Sequence, residues 1–543
     1  MSRTPLFARL LDTMFIARSS HAADEAVGVA DARRVSRRQA LAAGAVTLGG
    51  ASLLGGCAAD GTGGSEAGEL GRAAASARQI PVDVGIVGAG IAGLSCAYEL
   101  KKVGVVATLH EASTRAGGRI WSMGGPFAGP VMFPGQVIER GGELIDTPHK
   151  TMIGYARELG LTLEEVTKPA RETKYFFDGA LVSEATMVEQ YRVLVDAMRD
   201  DLRKVGAPTA DAFTADEAAL DNLSLREYLD SRGAPPQIKK LLNVAYEIEY
   251  GVASDEQSCL AFLLFAKASR QGKLRLLGNF SDERYHVVGG NQQVTDGLIA
   301  RLPGQIRLGR RLVGVRKASD GRVVLTFKEG TKTVTATHDA VVLSLPFNML
   351  RDVALDASLG LPASKIYAIQ HTVYGTHSTL MVGFNGRPWL PASGAAYSDL
   401  PYLQATWETS PSTADATRGV ITDYTGGALG RSLSTANTQA DTARFLANFE
   451  MAYPGSSARA RRTAGGAYVA HLQHWPSDPN TKGSYTANAP GYFTRIEGNE
   501  GKAVGNLFFA GETTDSFYSW QGFMEGGALS GLRAAGEIQR ALR

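Results

Sequence analysis

The residues with the clearest chemistry form a glycine turn, Gly88-x-Gly90-x-x-Gly93. A short apolar strand precedes this turn, and helical periodicity follows over 91–103. Glycines at this spacing let the backbone approach a pyrophosphate at a helix N-terminus, where free N–H groups and the helix dipole favour an anion. Glu111 ends the next strand, where a carboxylate can bind a ribose 2′-hydroxyl, and this argues against NADP. The pattern therefore predicts a dinucleotide site.

A second motif, Gly117-Gly118-Arg119, distinguishes FAD from NAD. The segment containing it resembles the second FAD fingerprint of the flavin amine oxidases, in which the arginine meets the pyrophosphate. The resemblance continues along nearly all of residues 80–543 and is most specific over 506–528, where Gly511-Glu512 is followed by Gly522-Phe523-Met524-Glu525-Gly526.

The resemblance implies a set of FAD contacts spread along the chain, with the cofactor at the N-terminus of a helix that starts at Met524. The implied contacts are Gly88, Gly90, Ala92, Gly93, Glu111, Ala112, Gly118, Arg119, Gly141, Gly142, Glu143, Val313, Gly511, Glu512, Gly522, Phe523 and Met524.

The same resemblance implies hydride transfer from an amine to flavin N5, with two aromatic side chains flanking the path to the ring. Tyr485 and Phe523 match these two positions, and Trp475 matches an aromatic packed beside the flavin. Ser484 stands where covalently flavinylated members have cysteine, so we expect non-covalent FAD. Thr379 stands where the family carries a lysine that holds a water against N5. A hydroxyl can still hold a water, but it supplies no positive charge to help reduced flavin react with oxygen.

The expected substrate is a primary or secondary amine, and the expected products are an imine and, with oxygen, hydrogen peroxide. Three alternatives stay open: an L-amino-acid oxidase, a dehydrogenase with another acceptor, and an exported flavin-binding lipoprotein with little catalysis. The family's amino-acid oxidases hold the substrate carboxylate with an arginine after the Gly-Gly loop, but this chain has none before Arg157. The acids that could meet a distant ammonium are Glu143, Asp146, Glu247 and Glu249.

No metal site is predicted, because His149, His377, His471 and His474 lack ligand spacing.

These motifs belong to an α/β fold, in which a Rossmann-like FAD domain of the glutathione-reductase type carries an inserted α+β substrate domain. The FAD domain is predicted over 80–145, 284–350 and 476–543, and the substrate domain over 146–283 and 351–475. The first insert is expected to be largely helical and the second to alternate strands with turns.

The N-terminal region is typical of an address rather than of a folded domain. Arg37-Arg38 precedes a short apolar stretch that ends in Leu54-Gly55-Gly56-Cys57, so residues 1–57 resemble a twin-arginine signal with a lipobox. We expect export, possible membrane attachment through a lipidated Cys57, and a flexible tether over 58–79.

Composition excludes some classes of protein. The 543 residues carry 56 Lys and Arg against 54 Asp and Glu, without a long basic run, so nothing points to nucleic acid. Three cysteines are too few for a disulfide framework. Cys96 and Cys259 are expected to be buried thiols.

Overall fold

The computed structural model describes residues 82–127, 133–167, 172–268, 282–409, 417–515 and 520–541. The predicted export signal, Cys57 and the tether over 58–79 lie outside the described residues. Within the described ranges, no helix combines the length and the hydrophobicity that a bilayer crossing requires.

A parallel five-stranded sheet forms the centre of the nucleotide-binding region. Its strand order is Leu507–Phe509, Ala340–Leu343, Val84–Val87, Ala107–His110 and Ile306–Arg307. Val84–Val87 is buried at every position, as expected for a strand covered on both faces. On one side this strand pairs with Ala340–Leu343, which is distant in sequence, and on the other with Ala107–His110, the next strand along the chain. Ligands of open α/β sheets bind at the carboxyl ends of strands at such a point.

Two helices that cover this sheet pack against each other closely. Ile91–Lys102 begins at the end of the first strand, and Met524–Ala541 crosses it through small residues. A Cβ on Gly531 would lie 2.3 Å from the Ala92 carbonyl oxygen, so the contact requires glycine.

Cys96 and Cys259 are buried free thiols, as predicted.

A smaller sheet is formed mainly by the chain between Ile306–Arg307 and Ala340–Leu343. Arg311–Lys317, Val323–Glu329 and Lys332–His338 pair antiparallel, and Ala354–Leu355 adds a parallel edge strand. A turn through Ser319-Asp320-Gly321 joins the first two of these strands as a hairpin.

A seven-stranded sheet forms the opposite wall of the cavity described below. Its order is Ala470–His474, Ser378–Asn385, Arg418–Thr425, Leu403–Thr409, Ala396–Leu400, Lys174–Phe177 and Ala180–Val182. Thr379 pairs with Tyr424, and Tyr424 also pairs with Ala405. Because directly paired residues share a face and so do residues two apart, Thr379, Tyr424 and Trp407 lie on one face of the sheet.

Three two-stranded pairs join these units. They are Ser122–Met123 with Ile138–Glu139, Leu163–Glu165 with Tyr285–Val287, and Val373–Tyr374 with Thr486–Ala487. The last pair places Ser484 and Tyr485 beside Gly375, which is hydrogen-bonded to both and precedes the strand that carries Thr379.

The first insert is largely helical, as predicted. Its helices are Lys150–Glu158, Glu184–Lys204, Ala215–Asp221, Leu225–Ser231, Pro236–Tyr250 and Cys259–Ala268. Ser183 caps the second of them, and Thr214 and Ser224 form capping boxes with Glu217 and Glu227, which fixes where these helices begin.

The remaining helices are Gln292–Ala300, Phe347–Leu350, Ala363–His371, Gly427–Ser432, Thr438–Ala452 and Tyr492–Arg495. Short 3₁₀ turns occur at Ala357–Leu359, Thr435–Asn437, Ser457–Arg459, Trp475–Ser477 and Glu512–Thr514.

The strands of the parallel sheet all come from the three segments predicted for the FAD domain, and those of the seven-stranded sheet from the two predicted for the substrate domain. The domain boundaries themselves stay a prediction.

Candidate functional site

A cavity of about 520 Å³ starts at the carboxyl end of Val84–Val87 and reaches the face of the seven-stranded sheet that carries Thr379. This volume is typical of a site for a cofactor or small molecule. Its lining joins the glycine turn at one end to Tyr424 and Tyr485 at the other.

The glycine turn presents backbone N–H groups to this cavity. Gly90 is the N-cap of helix Ile91–Lys102, and no side chain caps this end. The first N–H groups of the helix are therefore available to an anion. Gly93 acts differently, because a Cβ there would lie 2.0 Å from the Gly88 carbonyl oxygen. Gly93 does not line the cavity, and its role is to let the helix pack on the turn.

Glu111 lies beside this turn and lines the cavity. Its carboxylate accepts hydrogen bonds from the backbone N–H groups of Ala89 and Ser113, both at 2.8 Å. Burial raises the pKa of Glu111, and these bonds oppose that effect. Each oxygen has a further lone pair, so the carboxylate can also accept from a ribose hydroxyl.

The second glycine motif meets the C-terminal motif across the cavity. Arg119 Nη1 lies 3.0 Å from Glu512 Oε1 and also donates to the Ser484 carbonyl oxygen. Glu512 Oε2 accepts from Gly522 N–H at 2.9 Å. One ion pair therefore connects segments nearly 400 residues apart in the sequence, and it fixes both against the same cavity.

The loop Gly141-Gly142-Glu143 lies against the start of the C-terminal helix. A Cβ on Gly142 would lie 2.6 Å from Met524 Sδ, so a larger residue there would displace the Met524 side chain. The second glycine motif lies against the first, because a Cβ added to Gly118 would lie 3.0 Å from Gly90 Cα. The crevice is narrow and lined by glycines. It extends from the uncapped start of helix Ile91–Lys102 to the start of helix Met524–Ala541, which fits the extended shape of FAD.

Most of the predicted cofactor residues line this one cavity. They are Gly88, Gly90, Ala92, Glu111, Ala112, Gly118, Arg119, Gly141, Gly142, Glu143, Gly511, Glu512, Gly522, Phe523 and Met524. Gly93 and Val313 do not line it. Val313 lies where the pairing of its strand is irregular, and its neighbours Arg311 and Leu312 line the cavity instead.

The four predicted catalytic residues, Tyr485, Phe523, Thr379 and Trp475, also line the cavity. The Tyr485 hydroxyl donates to the Glu249 carbonyl oxygen at 3.0 Å and lies 3.1 Å from the Tyr424 hydroxyl. Because Tyr485 has a single hydroxyl proton, Tyr424 is the donor in the second bond. These bonds fix the orientation of the Tyr485 ring.

The rings of Tyr424 and Tyr485 form an aromatic wall of the cavity. His377, which no sequence pattern marked as a site residue, supports this wall without lining the cavity itself. Its ring is stacked on Tyr424, with centroids 4.7 Å apart, and lies 4.6 Å from Tyr485. Nε2–H donates to the Ile248 carbonyl oxygen at 2.9 Å, and Nδ1 forms a hydrogen bond of 2.5 Å with the Ser484 hydroxyl. His377 thus connects Ser484 to both tyrosines.

Trp407 and Tyr424 are two further site residues that sequence reasoning missed. Both line the cavity, and their ring centroids are 5.3 Å apart. Trp407 Nε1–H donates to Glu143 Oε1 at 3.1 Å. Burial raises the pKa of Glu143 to about 8, with a smaller contribution from the charge of Glu139, while the Trp407 bond opposes the rise.

The four acids considered for a distant ammonium separate into two groups. Glu143 and Asp146 line the cavity, whereas Glu247 and Glu249 do not. Asp146 lies 3.2 Å from His149 Nε2, and burial lowers the pKa of His149 to about 3, so this histidine is neutral. Within the described ranges, no group of three potential ligands is placed to hold a metal ion.

Comparisons with known proteins agree with this site. The family model described as flavin containing amine oxidoreductase matches residues 91–539. A pseudooxynicotine dehydrogenase from Pseudomonas sp is 23% identical over 473 residues, which cover 86% of this chain and 87% of that protein. An L-amino-acid oxidase from Naja atra is 23% identical over 485 residues, covering 85% and 88%.

Among solved structures, cyclohexylamine oxidase from Brevibacterium oxydans has the same fold. It superposes with a TM-score of 0.71 at 22% identity, covering 85% of this chain and 99% of that one. With the match of the family model to most of the chain, the dinucleotide crevice and the aromatic wall have one explanation: the chain belongs to the flavin-containing amine oxidoreductase family and is an FAD-dependent enzyme that oxidises an amine.

Proposed function

We propose that the enzyme holds FAD without a covalent bond and oxidises a primary or secondary amine that carries no α-carboxylate. The product is an imine, which water hydrolyses to a carbonyl compound and ammonia or an amine. Bound FAD supplies the acceptor for the hydride equivalent. The observation that carries the proposal is the single cavity, which joins the dinucleotide crevice to Tyr485, Phe523 and Trp475.

The aromatic side chains orient the amine in this scheme. The hydroxyl of Tyr485 is already bonded to the Glu249 carbonyl and to Tyr424, so the ring face is what remains for the substrate nitrogen. Aromatic faces attract a nitrogen that carries positive charge or polar N–H bonds. His149 lies edge-on to Phe523, with centroids 5.2 Å apart, and keeps that ring in place.

Non-covalent FAD is supported by Ser484. Its hydroxyl is buried and bonded to His377 Nδ1, and a serine offers no thiol for a thioether link. Denaturation by acid or heat should therefore release all the flavin into the supernatant. Flavin that stays with the precipitated polypeptide would contradict this part of the proposal.

Oxygen is the proposed electron acceptor, and a dehydrogenase using another acceptor is the second candidate. The observation that favours the second candidate is Thr379, which lines the cavity where the resemblance places a lysine. No lysine lines the cavity in the described part of the chain, so no ammonium charge assists the reaction with oxygen. The rate at which reduced flavin regains its absorbance under air, with peroxide assayed in parallel, separates the two candidates.

An α-amino acid fits the cavity poorly. The arginines nearest the aromatic end are already engaged: Arg119 pairs with Glu512, and Arg140 stacks on Trp121 while donating to Gln473. Glu143 lines the same cavity, and its buried carboxyl group offers a substrate carboxylate no positive charge.

Anaerobic mixing with panels of monoamines, polyamines and L-amino acids tests the proposal. A substrate bleaches the oxidised flavin, and we expect amines without a carboxylate to do so. Bleaching by L-amino acids alone would favour the amino-acid oxidase, and no bleaching by any panel would favour a flavin-binding lipoprotein with little catalysis.

We also propose export by the twin-arginine route, on the basis of Arg37-Arg38 and of the lipobox-like segment before Cys57. Replacing both arginines by lysine should retain the protein in the cytoplasm. Cys57→Ala should abolish labelling by a radioactive lipid precursor without changing export. Export that is unaffected by the double lysine variant would contradict the route.

A further inference from the structure

Glu143 occupies an unusual position in the cavity. Gly141, two residues before it, packs so closely on the backbone of another segment that a Cβ there would lie 1.9 Å from the Arg119 carbonyl oxygen. The backbone leading to Glu143 is therefore fixed. The side chain lines the cavity, and Oε1 accepts from Trp407 Nε1–H at 3.1 Å.

A chain of contacts connects this carboxyl group to the aromatic wall. Trp407 lies 5.3 Å from Tyr424 between ring centroids, and the Tyr424 hydroxyl is 3.1 Å from that of Tyr485. Glu143, Trp407, Tyr424 and Tyr485 all line the same cavity. The carboxyl group is thus at the end of the cavity where the amine is expected.

The surroundings of Glu143 contain acids but no ion-pair partner for it among the described residues. On its own segment, Glu139 is buried and accepts from Asn291 N–H and from the Ser122 hydroxyl. The ionisable groups that line the rest of the cavity are Asp146, Glu283, Glu111, Asp478, Glu512, His110, Tyr424, Tyr485, Arg115, Arg119, Arg140, Arg310 and Arg311.

None of these groups neutralises Glu143. The Arg119 guanidinium is paired with Glu512, and the guanidiniums of Arg140 and Arg115 both lie over the Trp121 ring. Burial, reinforced by the charge of Glu139, raises the pKa of Glu143 to about 8. A buried carboxyl group in this state gains most from a cation that arrives with the substrate.

An amine must be neutral before its carbon can give up a hydride, because the nitrogen lone pair stabilises the positive charge that develops. Aliphatic amines resemble the lysine side chain, whose pKa is about 10.4, so only roughly one molecule in a thousand is neutral at pH 7. The enzyme therefore needs either the rare neutral form or a group that removes the proton.

We propose that the Glu143 carboxylate binds the ammonium form of the substrate and accepts its proton, with Trp407 holding the carboxylate in position. This inference rests on the proposed function. The step is balanced: the N–H bond of the ammonium breaks, an O–H bond forms on Glu143, and the lone pair stays on the now neutral amine. Solvent takes the proton from Glu143 after the imine has left.

The test is the variant Glu143→Gln, whose amide oxygen can still accept the Trp407 bond. The rate constant of anaerobic flavin reduction divided by the substrate Kd is measured from pH 6 to pH 10. In the wild type we expect this ratio to rise and level off above pH 8. In Glu143→Gln we expect a loss of about 100-fold at pH 7, the size usual for a general base, and a rise that continues to the pKa of the free amine.

Two controls separate a proton acceptor from a structural residue. Glu247→Gln alters an acid that does not line the cavity and should keep the wild-type pH profile. Trp407→Phe removes the bond that favours the ionised carboxyl, so the midpoint of the wild-type profile should move to higher pH. Flavin content and melting temperature are measured for every variant, and Glu143→Asp should recover part of the lost rate.

A readout without turnover uses the visible spectrum of the bound flavin in the absence of substrate. A spectral titration near pH 8 should be present in the wild type and absent from Glu143→Gln. The proposal is overturned if Glu143→Gln, with full flavin content, reduces at the wild-type rate with the wild-type pH profile. If no amine bleaches even the wild-type flavin, it is the proposed function that fails.

Discussion

The substitution Gly93→Ala isolates the packing role of the glycine turn. The added Cβ would lie 2.0 Å from the Gly88 carbonyl oxygen, and real contacts of this kind are essentially never shorter than 3.0 Å. The helix and the turn must therefore separate by about 1 Å. Such overpacking costs roughly 1–3 kcal/mol, and the higher helix propensity of alanine offsets about 1 kcal/mol of that.

The larger effect is expected on FAD binding, because the helix N-terminus at Ile91 moves away from the cavity. Loss of one hydrogen bond to a charged phosphate is worth about 1.5–3 kcal/mol, which raises the Kd by roughly 10- to 150-fold. Titration of the apoprotein with FAD, followed by quenching of flavin fluorescence, gives this Kd directly.

The matched control is Gly154→Ala in helix Lys150–Glu158, where an added Cβ meets nothing within 4 Å. It should raise stability by about 0.5–1 kcal/mol and leave FAD affinity unchanged. The reasoning is refuted if Gly93→Ala binds FAD as tightly as the wild type, or if Gly154→Ala weakens binding equally.

Four further predictions concern charge and support in the site. Glu512→Gln removes the ion pair that connects Arg119 to the C-terminal motif and should raise the Kd for FAD about tenfold, with Glu512→Asp intermediate. Thr379→Lys should speed reoxidation under air by roughly tenfold, the effect of about 1.4 kcal/mol of charge stabilisation; an unchanged rate would show that this position does not control oxygen reactivity. His377→Phe keeps a ring behind Tyr485 but removes the bonds to Ser484 and Ile248, so kcat should fall roughly tenfold with FAD still bound, and His377→Gln should restore part of it. Burial raises the pKa of Glu139 to about 7 from an ordinary 4.5, so its protonated form stabilises the fold below pH 4.5 and this contribution is lost as pH rises through 7. Urea unfolding should therefore show that the free energy of unfolding of the wild type, compared with that of Glu139→Gln, falls by up to roughly 3 kcal/mol from pH 4.5 to pH 8. A difference between the two proteins that does not change with pH would contradict the assigned burial effect.

Most residues that the sequence predicts for the nucleotide end line one cavity, and they were predictable because their chemistry is local. The glycine turn, Glu111 and Gly118-Arg119 each belong to a short segment whose strand, turn and helix follow one another directly. Helix starts were predictable for the same reason, since Thr214 and Ser224 signal capping boxes three residues ahead of Glu217 and Glu227.

The substrate end was harder to predict, because strand register is not local. Tyr424 joins the site because it pairs with Thr379, and Trp407 joins because its strand pairs with that of Tyr424. Alternation along 418–425 places Tyr424 on one face of its strand, but it does not say which strand lies opposite. His377 could have been suspected as a polar residue immediately before Ser378–Asn385, the strand that carries Thr379.

A motif residue also need not line the cavity. Gly93 belongs to the glycine pattern but serves helix packing, and Val313 is adjacent to the cavity lining rather than part of it. A resemblance transfers a residue type at a position, whereas its contact depends on the local packing.

The most direct test of the central claim is the visible spectrum of the holoenzyme mixed anaerobically with an amine that lacks a carboxylate. If FAD and amine meet in the cavity bounded by Tyr485 and Phe523, the oxidised flavin bleaches, and Phe523→Ala slows the bleaching without releasing FAD. A flavin that stays fully oxidised with every amine, or that is reduced equally fast in Phe523→Ala, would contradict the claim.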